Sequence, residues 1–321
     1  MYLASVVGCR VSETINPHFS ADPLVALDGL SVPVPTIFGQ NGQIDAGQNA
    51  RFTRRLCDER VDHIFALGTT GEFPLVMPPE RPVLLESIIE SLGWRTDAWV
   101  GCGAPATAQA VANAEQAEEA GAAAVVVVPP YYLTPTEASI KHYYRAIRKA
   151  VGVPVLGYNI PAHVGYALSP PLVHELAREN VLAGLKDTSG SIDSARDFLQ
   201  GAPDGFAFFT GDDILAGPAI ASGGVGAVMG SANVVPRLAV DLVTAARKGD
   251  AQKVAQLEIP LRALLVALEA GPFPSVVKYL AQRLRGAEVG YREPYGPLTA
   301  EERSKVDAAL APAEPMLRPF L

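Results

Sequence analysis

Lys186 is the residue whose type and position most clearly indicate chemistry. The chain holds seven lysines, and the other six lie in segments predicted to be helical, whereas Lys186 ends the apolar run VLAGL. A lysine that loses hydration beside a buried strand keeps part of its amine neutral, and a neutral amine attacks a carbonyl to form an imine. The competing interpretation is a structural lysine paired with a carboxylate such as Asp187, and position alone leaves both open.

Tyr158 ends the apolar run that precedes the run of Lys186. Because neighbouring strands lie about 4.8 Å apart, its hydroxyl can approach the Lys186 amine and pass protons. A core tyrosine whose hydroxyl binds the backbone is the alternative.

The turn Gly68-Thr69-Thr70-Gly71-Glu72 also follows an apolar run. It is too short for a nucleotide phosphate loop and lacks the lysine of one. Two hydroxyls and successive backbone N–H groups between glycines suit a small carboxylate. An ordinary turn is the alternative.

Further polar side chains follow other apolar runs: Tyr131, Tyr132, Asn159, Asp187, Thr188, Asp212 and Asp213. Two ionised aspartates repel phosphate, so the last two suit sugar hydroxyls or helix caps better than a phosphorylated substrate. The five histidines form no HxH or HExxH set, so a metal-dependent aldolase or hydrolase is not indicated. No GxSxG occurs, and no GxGxxG follows a strand at the required place.

Eight short runs rich in β-branched or aromatic residues are predicted to be strands: 32–38, 63–67, 98–101, 124–128, 153–158, 181–185, 206–210 and 225–229. Most are continuously apolar, which is typical of parallel strands buried on both faces. The connecting segments are long enough for helices, and Thr107 and Ser169 are predicted N-caps of two of them. Eight strand–helix units favour a closed (β/α)8 TIM barrel, with active groups at the carboxyl ends of the strands.

The chain is predicted to divide into three regions. These are an N-terminal arm of unknown role at 1–29, a catalytic barrel at 30–236, and a C-terminal helical region at 237–321 that includes the last barrel helix. A capping box, Thr299-x-x-Glu302, is predicted to open the helix at 300–310. The surplus helices cover one end of the barrel, form subunit contacts or add packing. The uncharged segment 216–236 holds five glycines, which favours a short helix, a turn and a strand over a membrane span.

Composition and charge narrow the classes of partner. The 321 residues are 49% hydrophobic, which suffices for a large core and excludes disorder. A net charge of −8 without a basic run argues against nucleic acid and anionic membranes. Cys9, Cys57 and Cys102 are odd in number and far apart, so no disulfide framework is predicted. Because the N-terminus is also a poor secretion signal, we predict a cytoplasmic protein.

Six motifs resemble, in order and spacing, those of the dihydrodipicolinate synthase and N-acetylneuraminate lyase family: GTTGEFPL (68–75), PPYY (129–132), YNIP (158–161), GLKDTSG (184–190), GDD (211–213) and SANVVP (231–236). The resemblance implies a (β/α)8 barrel with a helical C-terminal extension and a homotetramer built as a dimer of dimers. It further implies a class I lyase that forms a covalent imine with pyruvate and uses no metal or other cofactor.

The resemblance implies a catalytic set of four residues: Lys186, Tyr158, Thr70 and Tyr132. Lys186 matches the lysine that condenses with the pyruvate ketone, and Tyr158 matches the tyrosine that shuttles protons. The turn with Thr69 and Thr70 matches the one that holds the pyruvate carboxylate. The tyrosine at position 132 matches one that, in the synthases, reaches across a dimer interface to complete a proton relay.

Departures from the family pattern bear on the substrate. Where the synthases carry an arginine two residues beyond the YNxP proline, this chain has His163, and Gly230 replaces a serine common in sialic-acid lyases. The predicted substrate-binding residues are Thr69, Thr70, Gly71, His163, Thr188, Asp212, Asp213 and Val228. We therefore favour aldol cleavage or condensation of a 2-keto-3-deoxy sugar acid or 4-hydroxy-2-oxoglutarate. The alternatives are a dihydrodipicolinate synthase that condenses pyruvate with aspartate semialdehyde, a dehydratase that shares the imine step, and a catalytically idle keto-acid sensor.

Overall fold

A closed barrel of eight parallel strands forms the centre of the computed structural model, which describes residues 27–321. Each strand pairs with its neighbours in chain order, and the last pairs back onto the first. The strands are β1 (Gly29–Pro33), β2 (His63–Ala66), β3 (Asp97–Gly101), β4 (Ala124–Val127), β5 (Val155–Asn159), β6 (Gly184–Asp187), β7 (Ala207–Thr210) and β8 (Gly226–Val228). This topology confirms the predicted (β/α)8 barrel. Cys9 and residues 1–26 of the predicted arm lie outside the described residues.

Helices follow each strand and cover the outside of the barrel. They are α1 (Ala46–Asp58), α2 (Arg81–Ile89), α3 (Thr107–Glu119), α4 (Glu137–Ala150), α5 (Pro161–Val164), α6 (Pro170–Arg178), α7 (Ile192–Leu199), α8 (Ala216–Ala221) and α9 (Pro236–Arg247). Helix α4 shows the pattern that buries one face, because Ile140, Tyr143, Tyr144 and Ile147 at i, i+3, i+4 and i+7 are all buried.

Two of the predicted helix starts have different outcomes. Ser169 caps α6 by accepting a hydrogen bond from Leu172 N, as predicted. The prediction for Thr107 is wrong, because the extended residue at the start of α3 is Ala106 and Thr107 is already helical.

Four more helices follow α9: α10 (Ala251–Glu269), α11 (Ser275–Arg285), α12 (Ala300–Leu310) and α13 (Glu314–Leu317). Helix α10 packs against α9 and α12. The predicted capping box is confirmed, since the Thr299 hydroxyl accepts from Glu302 N and the Glu302 carboxylate accepts from Thr299 N. Segment 216–236 is α8, a turn and β8, also as predicted. No helix within residues 27–321 is long and apolar enough to cross a membrane.

The barrel interior is packed with side chains rather than open. The Trp99 ring stacks on His63 with 4.4 Å between centroids and meets Phe209 edge-on at 4.9 Å. Side chains along a strand alternate between the interior and the helix-facing side. Tyr158 belongs to the interior cluster, so its strand-paired neighbour Lys186 also lies on the interior side.

Two predicted strands are shifted along the sequence. The first strand ends at Pro33 and does not continue to residue 38 as predicted, because Pro33 and Pro35 lack the N–H groups that a ladder needs. The sixth run begins later than predicted, since Val181 N bonds Leu176 O in the turn after α6. Lys186 is therefore part of β6 and not of the loop that follows it.

Candidate active site

The paired strands β5 and β6 bring Lys186 and Tyr158 together. The two residues are direct partners in the ladder, and both are 5% exposed. Lys186 Nζ lies 3.9 Å from the centre of the Tyr158 ring and 5.1 Å from that of Phe65. The amine therefore sits among aromatic faces, whose electrons attract its cationic form.

Asp187 does not serve as the ion-pair partner that sequence reasoning left open for Lys186. Its carboxylate accepts hydrogen bonds from Asn159 Nδ2 (2.7 Å), Ser189 Oγ (2.7 Å) and Ser194 Oγ (3.3 Å). Successive residues of a strand face opposite sides, so Asp187 points away from the interior side. Burial raises the pKa of Asp187, and the hydrogen bonds offset only part of that shift.

The Tyr158 hydroxyl is the centre of a short polar chain. It lies 3.3 Å from Thr69 Oγ1, so the chain joins the carboxyl ends of β5 and β2. Burial by itself raises the pKa of Tyr158, but the positive charge of Lys186 and the Thr69 hydroxyl outweigh it and leave the pKa below the usual value. A phenol with a lowered pKa next to an amine is suited to moving protons.

The Thr69–Gly71 turn has a constrained backbone and unpaired N–H groups. Leu67 and Glu72 on either side have φ values of 56° and 55°, which place both in the left-handed region. A Cβ at Gly71 would lie 3.0 Å from Leu67 N and 3.1 Å from Val34 O, so the close approach of the backbone favours glycine. Within residues 27–321, no group accepts a hydrogen bond from the N–H of Thr69, Thr70 or Gly71. Such amides form a site for a small anion.

Gly211, the residue after β7, packs closely against the site. A Cβ at this position would lie 2.1 Å from Thr188 Oγ1 and 2.7 Å from Lys186 Cε. The Thr188 hydroxyl is buried near the Tyr158 phenol and helps to lower its pKa, but it makes no hydrogen bond of good geometry in the described part of the chain. Val228 on β8 is 1% exposed within the interior cluster.

The two aspartates after β7 bind backbone amides. Asp212 Oδ1 accepts from Ile214 N at 3.2 Å. Both oxygens of Asp213 are used, since Oδ1 accepts from Gly230 N (3.0 Å) and Oδ2 from Ser231 N (2.7 Å). Burial raises the pKa of Asp213, with these bonds opposing the shift. Asp213 thus joins the loops after β7 and β8, which is the cap role that sequence reasoning left open.

His163 and Tyr132 lie apart from this group within the single chain. His163 is exposed on the one-turn helix α5. Tyr132 is 93% exposed and has a φ of 74°, a conformation that is uncommon for a bulky residue. Its neighbour Tyr131 packs edge-on against Phe73.

Sequence reasoning missed an ion pair beneath the turn. Lys278 Nζ lies 2.6 Å from Glu72 Oε1, and the two side chains are 0% and 2% exposed. The sequence places Glu72 in the turn and Lys278 in a predicted helix, without indicating that the two pair. The signal in the sequence is weak, because the partners lie on distant segments. Among residues 27–321, no three His, Cys, Asp or Glu side chains cluster as metal ligands would.

Comparison with known proteins agrees with this architecture. The sequence profile of the dihydrodipicolinate synthetase family matches residues 26–313. An uncharacterized DapA-like lyase of Halobacterium salinarum is 36% identical over 293 residues, which cover 91% of this chain and 95% of that protein. A 4-hydroxy-tetrahydrodipicolinate synthase of Azoarcus sp. is 35% identical, covering 89% of this chain and 98% of the relative.

A solved structure extends the similarity to three dimensions. YagE, a prophage protein of the dihydrodipicolinic acid synthase family from E. coli K12 in complex with pyruvate, aligns with a TM-score of 0.85 and 30% identity. The alignment covers 89% of this chain and 98% of YagE. The molecule is thus a lyase-class enzyme built on a (β/α)8 barrel with a helical extension. The chain belongs to the dihydrodipicolinate synthase family.

Proposed function

We propose that the chain is a class I lyase in which the Lys186 amine forms an imine with pyruvate. The observation that carries this proposal is the placement of Lys186 Nζ, buried and 3.9 Å from the centre of the Tyr158 ring. Membership of a family that includes a pyruvate complex supports the choice of keto acid. No cofactor is needed, because the covalent imine itself supplies the electron sink.

The proposed reaction begins with transfer of a proton from Lys186 to the ionised oxygen of Tyr158, after which the neutral Nζ attacks the pyruvate ketone. A carbon–nitrogen bond forms, the ketone oxygen leaves as water, and the Tyr158 hydroxyl moves the protons that this exchange requires. The protonated imine then withdraws electrons, so the adjacent methyl group loses a proton and becomes an enamine. The enamine adds to an aldehyde, and hydrolysis of the imine releases the product. In the cleavage direction, the same imine accepts the electrons of the breaking carbon–carbon bond.

The pyruvate carboxylate is assigned to the Thr69–Gly71 turn. Its N–H groups have no acceptor among the described residues, and the Thr69 hydroxyl already lies beside Tyr158. A carboxylate held there places the ketone within reach of both Lys186 and Tyr158. We assign Thr70 to the same function, since it is buried in the same turn.

For the second substrate, we propose an aldehyde that carries hydroxyl groups, as released from a 2-keto-3-deoxy sugar acid or 4-hydroxy-2-oxoglutarate. Two features support this choice: Thr188 Oγ1 is buried without a partner in the described chain, and position 163 holds histidine rather than a fixed cation. Further candidates are Asp212, which follows β7, His163 on α5, which follows β5, and Val228 at the end of β8. Condensation with aspartate semialdehyde is the second candidate, favoured by the relatives named as synthases.

We further propose a homotetramer in which Tyr132 completes the site of a neighbouring subunit. Its 93% exposure and left-handed backbone suit a residue that is held by a second copy. The cytoplasmic location and the division into a barrel at 30–236 and a helical region at 237–321 stay predictions.

Reductive trapping tests the imine. Borohydride added with pyruvate reduces the carbon–nitrogen double bond and leaves a stable adduct, which peptide mass spectrometry assigns to a residue. We expect the adduct on Lys186, none in K186A, and normal trapping in the control K305A, whose lysine is exposed on α12. Wild-type protein that binds pyruvate without being trapped would support the idle sensor instead.

An aldehyde panel separates the substrate candidates. When each aldehyde is supplied with pyruvate, glyceraldehyde and glyoxylate should give product. Aspartate semialdehyde should give little product. The reverse preference would establish the synthase. H163R serves as a second probe, because an arginine there should increase use of aspartate semialdehyde if position 163 contacts the second substrate.

A further inference from the structure

The Glu72–Lys278 ion pair joins the Thr69–Gly71 turn to the C-terminal helical region. Glu72 directly follows Gly71, and Lys278 lies on α11. Nζ forms an ion pair with Glu72 Oε1 at 2.6 Å and donates a hydrogen bond of 2.8 Å to Gly290 O. The ammonium is also about 5 Å from the rings of Phe38 and Tyr291. The end of the turn is thus held from outside the barrel.

A buried ion pair of this kind adds little net stability to a fold. Burial raises the pKa of Glu72 and lowers that of Lys278, and the attraction between them opposes both shifts. Removing two charges from water offsets most of what their attraction contributes, so a pair of apolar side chains of similar size often serves stability equally well. What an ion pair adds is a fixed position, because an unpaired charge cannot be left in the interior.

A second tie from the same region acts on the same loop. Arg292 donates to Leu75 O at 2.7 Å and to Gly42 O at 2.7 Å, and pairs with Glu80. The loop after β2 is therefore held at Glu72 and again at Leu75 by two cations that follow α10. A third contact comes from the loop after β1, where the Thr36 hydroxyl donates a hydrogen bond to Gly71 O at 2.6 Å.

We propose that Glu72 and Lys278 are positioning residues that set the Thr69–Gly71 turn at the spacing which pyruvate requires. The pair does not touch the reacting atoms, since it lies beneath the turn. It acts through the backbone of Gly71 and Thr70, whose N–H groups are assigned to the carboxylate. This inference rests on the proposed function and gives the C-terminal region a role in substrate binding.

The test compares stability with pyruvate affinity in variants of the full-length chain. K278M leaves a buried carboxylate unpaired and should lower the melting temperature. The double variant E72M/K278M removes both charges, so its melting temperature should return close to that of the wild type. Its half-saturating pyruvate concentration in borohydride trapping should nevertheless rise about tenfold, with the limiting trapping rate within about twofold of wild type. K305M, which removes an exposed pair with Glu301, is the matched control.

The outcomes are distinguishable. A double variant that regains both melting temperature and wild-type half-saturation would overturn the positioning role and leave the proposed function intact. Wild-type protein that traps no pyruvate would overturn the proposed function and this inference with it. E72D provides a second measurement, because it keeps the charge but shortens the reach by one methylene. A folded E72D with unchanged half-saturation would also overturn the positioning role, even if the double variant does not fold.

Discussion

Asn159 connects to Asp187 through a buried hydrogen bond of 2.7 Å, from Nδ2 to Oδ1. The other end of the same amide accepts from Leu168 N at 2.9 Å, so one side chain links β6 to the loop that carries α5. The pair is a brace for the carboxyl ends of β5 and β6. It also explains why Asp187 does not approach the Lys186 amine.

N159A tests that brace. It removes the partners of Asp187 Oδ1 and Leu168 N together, so the free energy of unfolding should fall by about 3 kcal/mol. Urea denaturation measures the change. S189A removes only one of three donors to Asp187 and should cost about 1 kcal/mol. Equal losses in the two variants would show that the link to Leu168 contributes nothing.

The ionisation of Tyr158 depends on the charge of Lys186. In K186M the opposing charge is gone and burial dominates, so the pKa of Tyr158 should move from below to above the usual tyrosine value. Ultraviolet difference absorbance between each protein and its Y158F counterpart isolates this phenol from the other nine tyrosines. An unchanged titration in K186M would contradict the coupling.

The sign of the accompanying effect on stability follows from the lowered pKa. Ionisation of Tyr158 contributes stability that is complete above the unfolded pKa of tyrosine. That contribution is lost as the pH falls through the folded pKa. Y158F should therefore remove a rise in stability that wild-type protein shows on the alkaline side. In activity assays at neutral pH, the same variant should lose about a hundredfold or more in turnover, as expected for loss of a proton relay.

G211A tests the close packing of β7 against the site. The added methyl group meets Thr188 Oγ1 and Lys186 Cε, so it should displace the lysine and lower the trapping rate at least about tenfold. Stability should fall by about 1–3 kcal/mol through overpacking. G296A is the control, because a Cβ there has no neighbour within 4 Å. Normal trapping by G211A would mean that Lys186 tolerates a shift of its stem.

Subunit mixing tests the assignment of Tyr132. Y132F and K186A subunits should each be nearly inactive alone. If Tyr132 completes the neighbouring site, a mixed dimer holds one site with both wild-type residues, and random mixing should restore about a quarter of wild-type activity. Activity that stays at the level of the parents after reassociation would place Tyr132 outside the relay.

Most of the barrel was predictable from the sequence because parallel strands buried on both faces have a simple signature. The runs that became β4 and β7 fall within one residue or so of their predicted bounds. Prolines inside the first apolar run end β1 earlier than predicted, because a residue without an N–H cannot donate a hydrogen bond to the ladder even when its side chain is apolar. The adjacency of β5 and β6 then follows from the topology, which is why Lys186 and Tyr158 were expected together, whereas the role of Thr69 beside them came from the family resemblance.

The remaining parts of the site depend on contacts between distant segments. That Lys278 reaches Glu72 could not be inferred, because helical periodicity says which face is buried but not which partner it meets. The same holds for Asp213, whose two amide donors lie after β8. Gly211 carried no signal either, since the need for glycine arises only once β6 and β7 are adjacent.

The contacts that Lys278 and Arg292 make with the loop after β2 can form only late in synthesis. The loop after β2 emerges early, but the cations that hold it follow more than two hundred residues later. A nascent chain that contains all eight strands therefore still lacks the contacts that hold the Thr69–Gly71 turn. On the proposed role of these contacts, a chain that ends before Lys278 would lack both of the side chains that hold the turn.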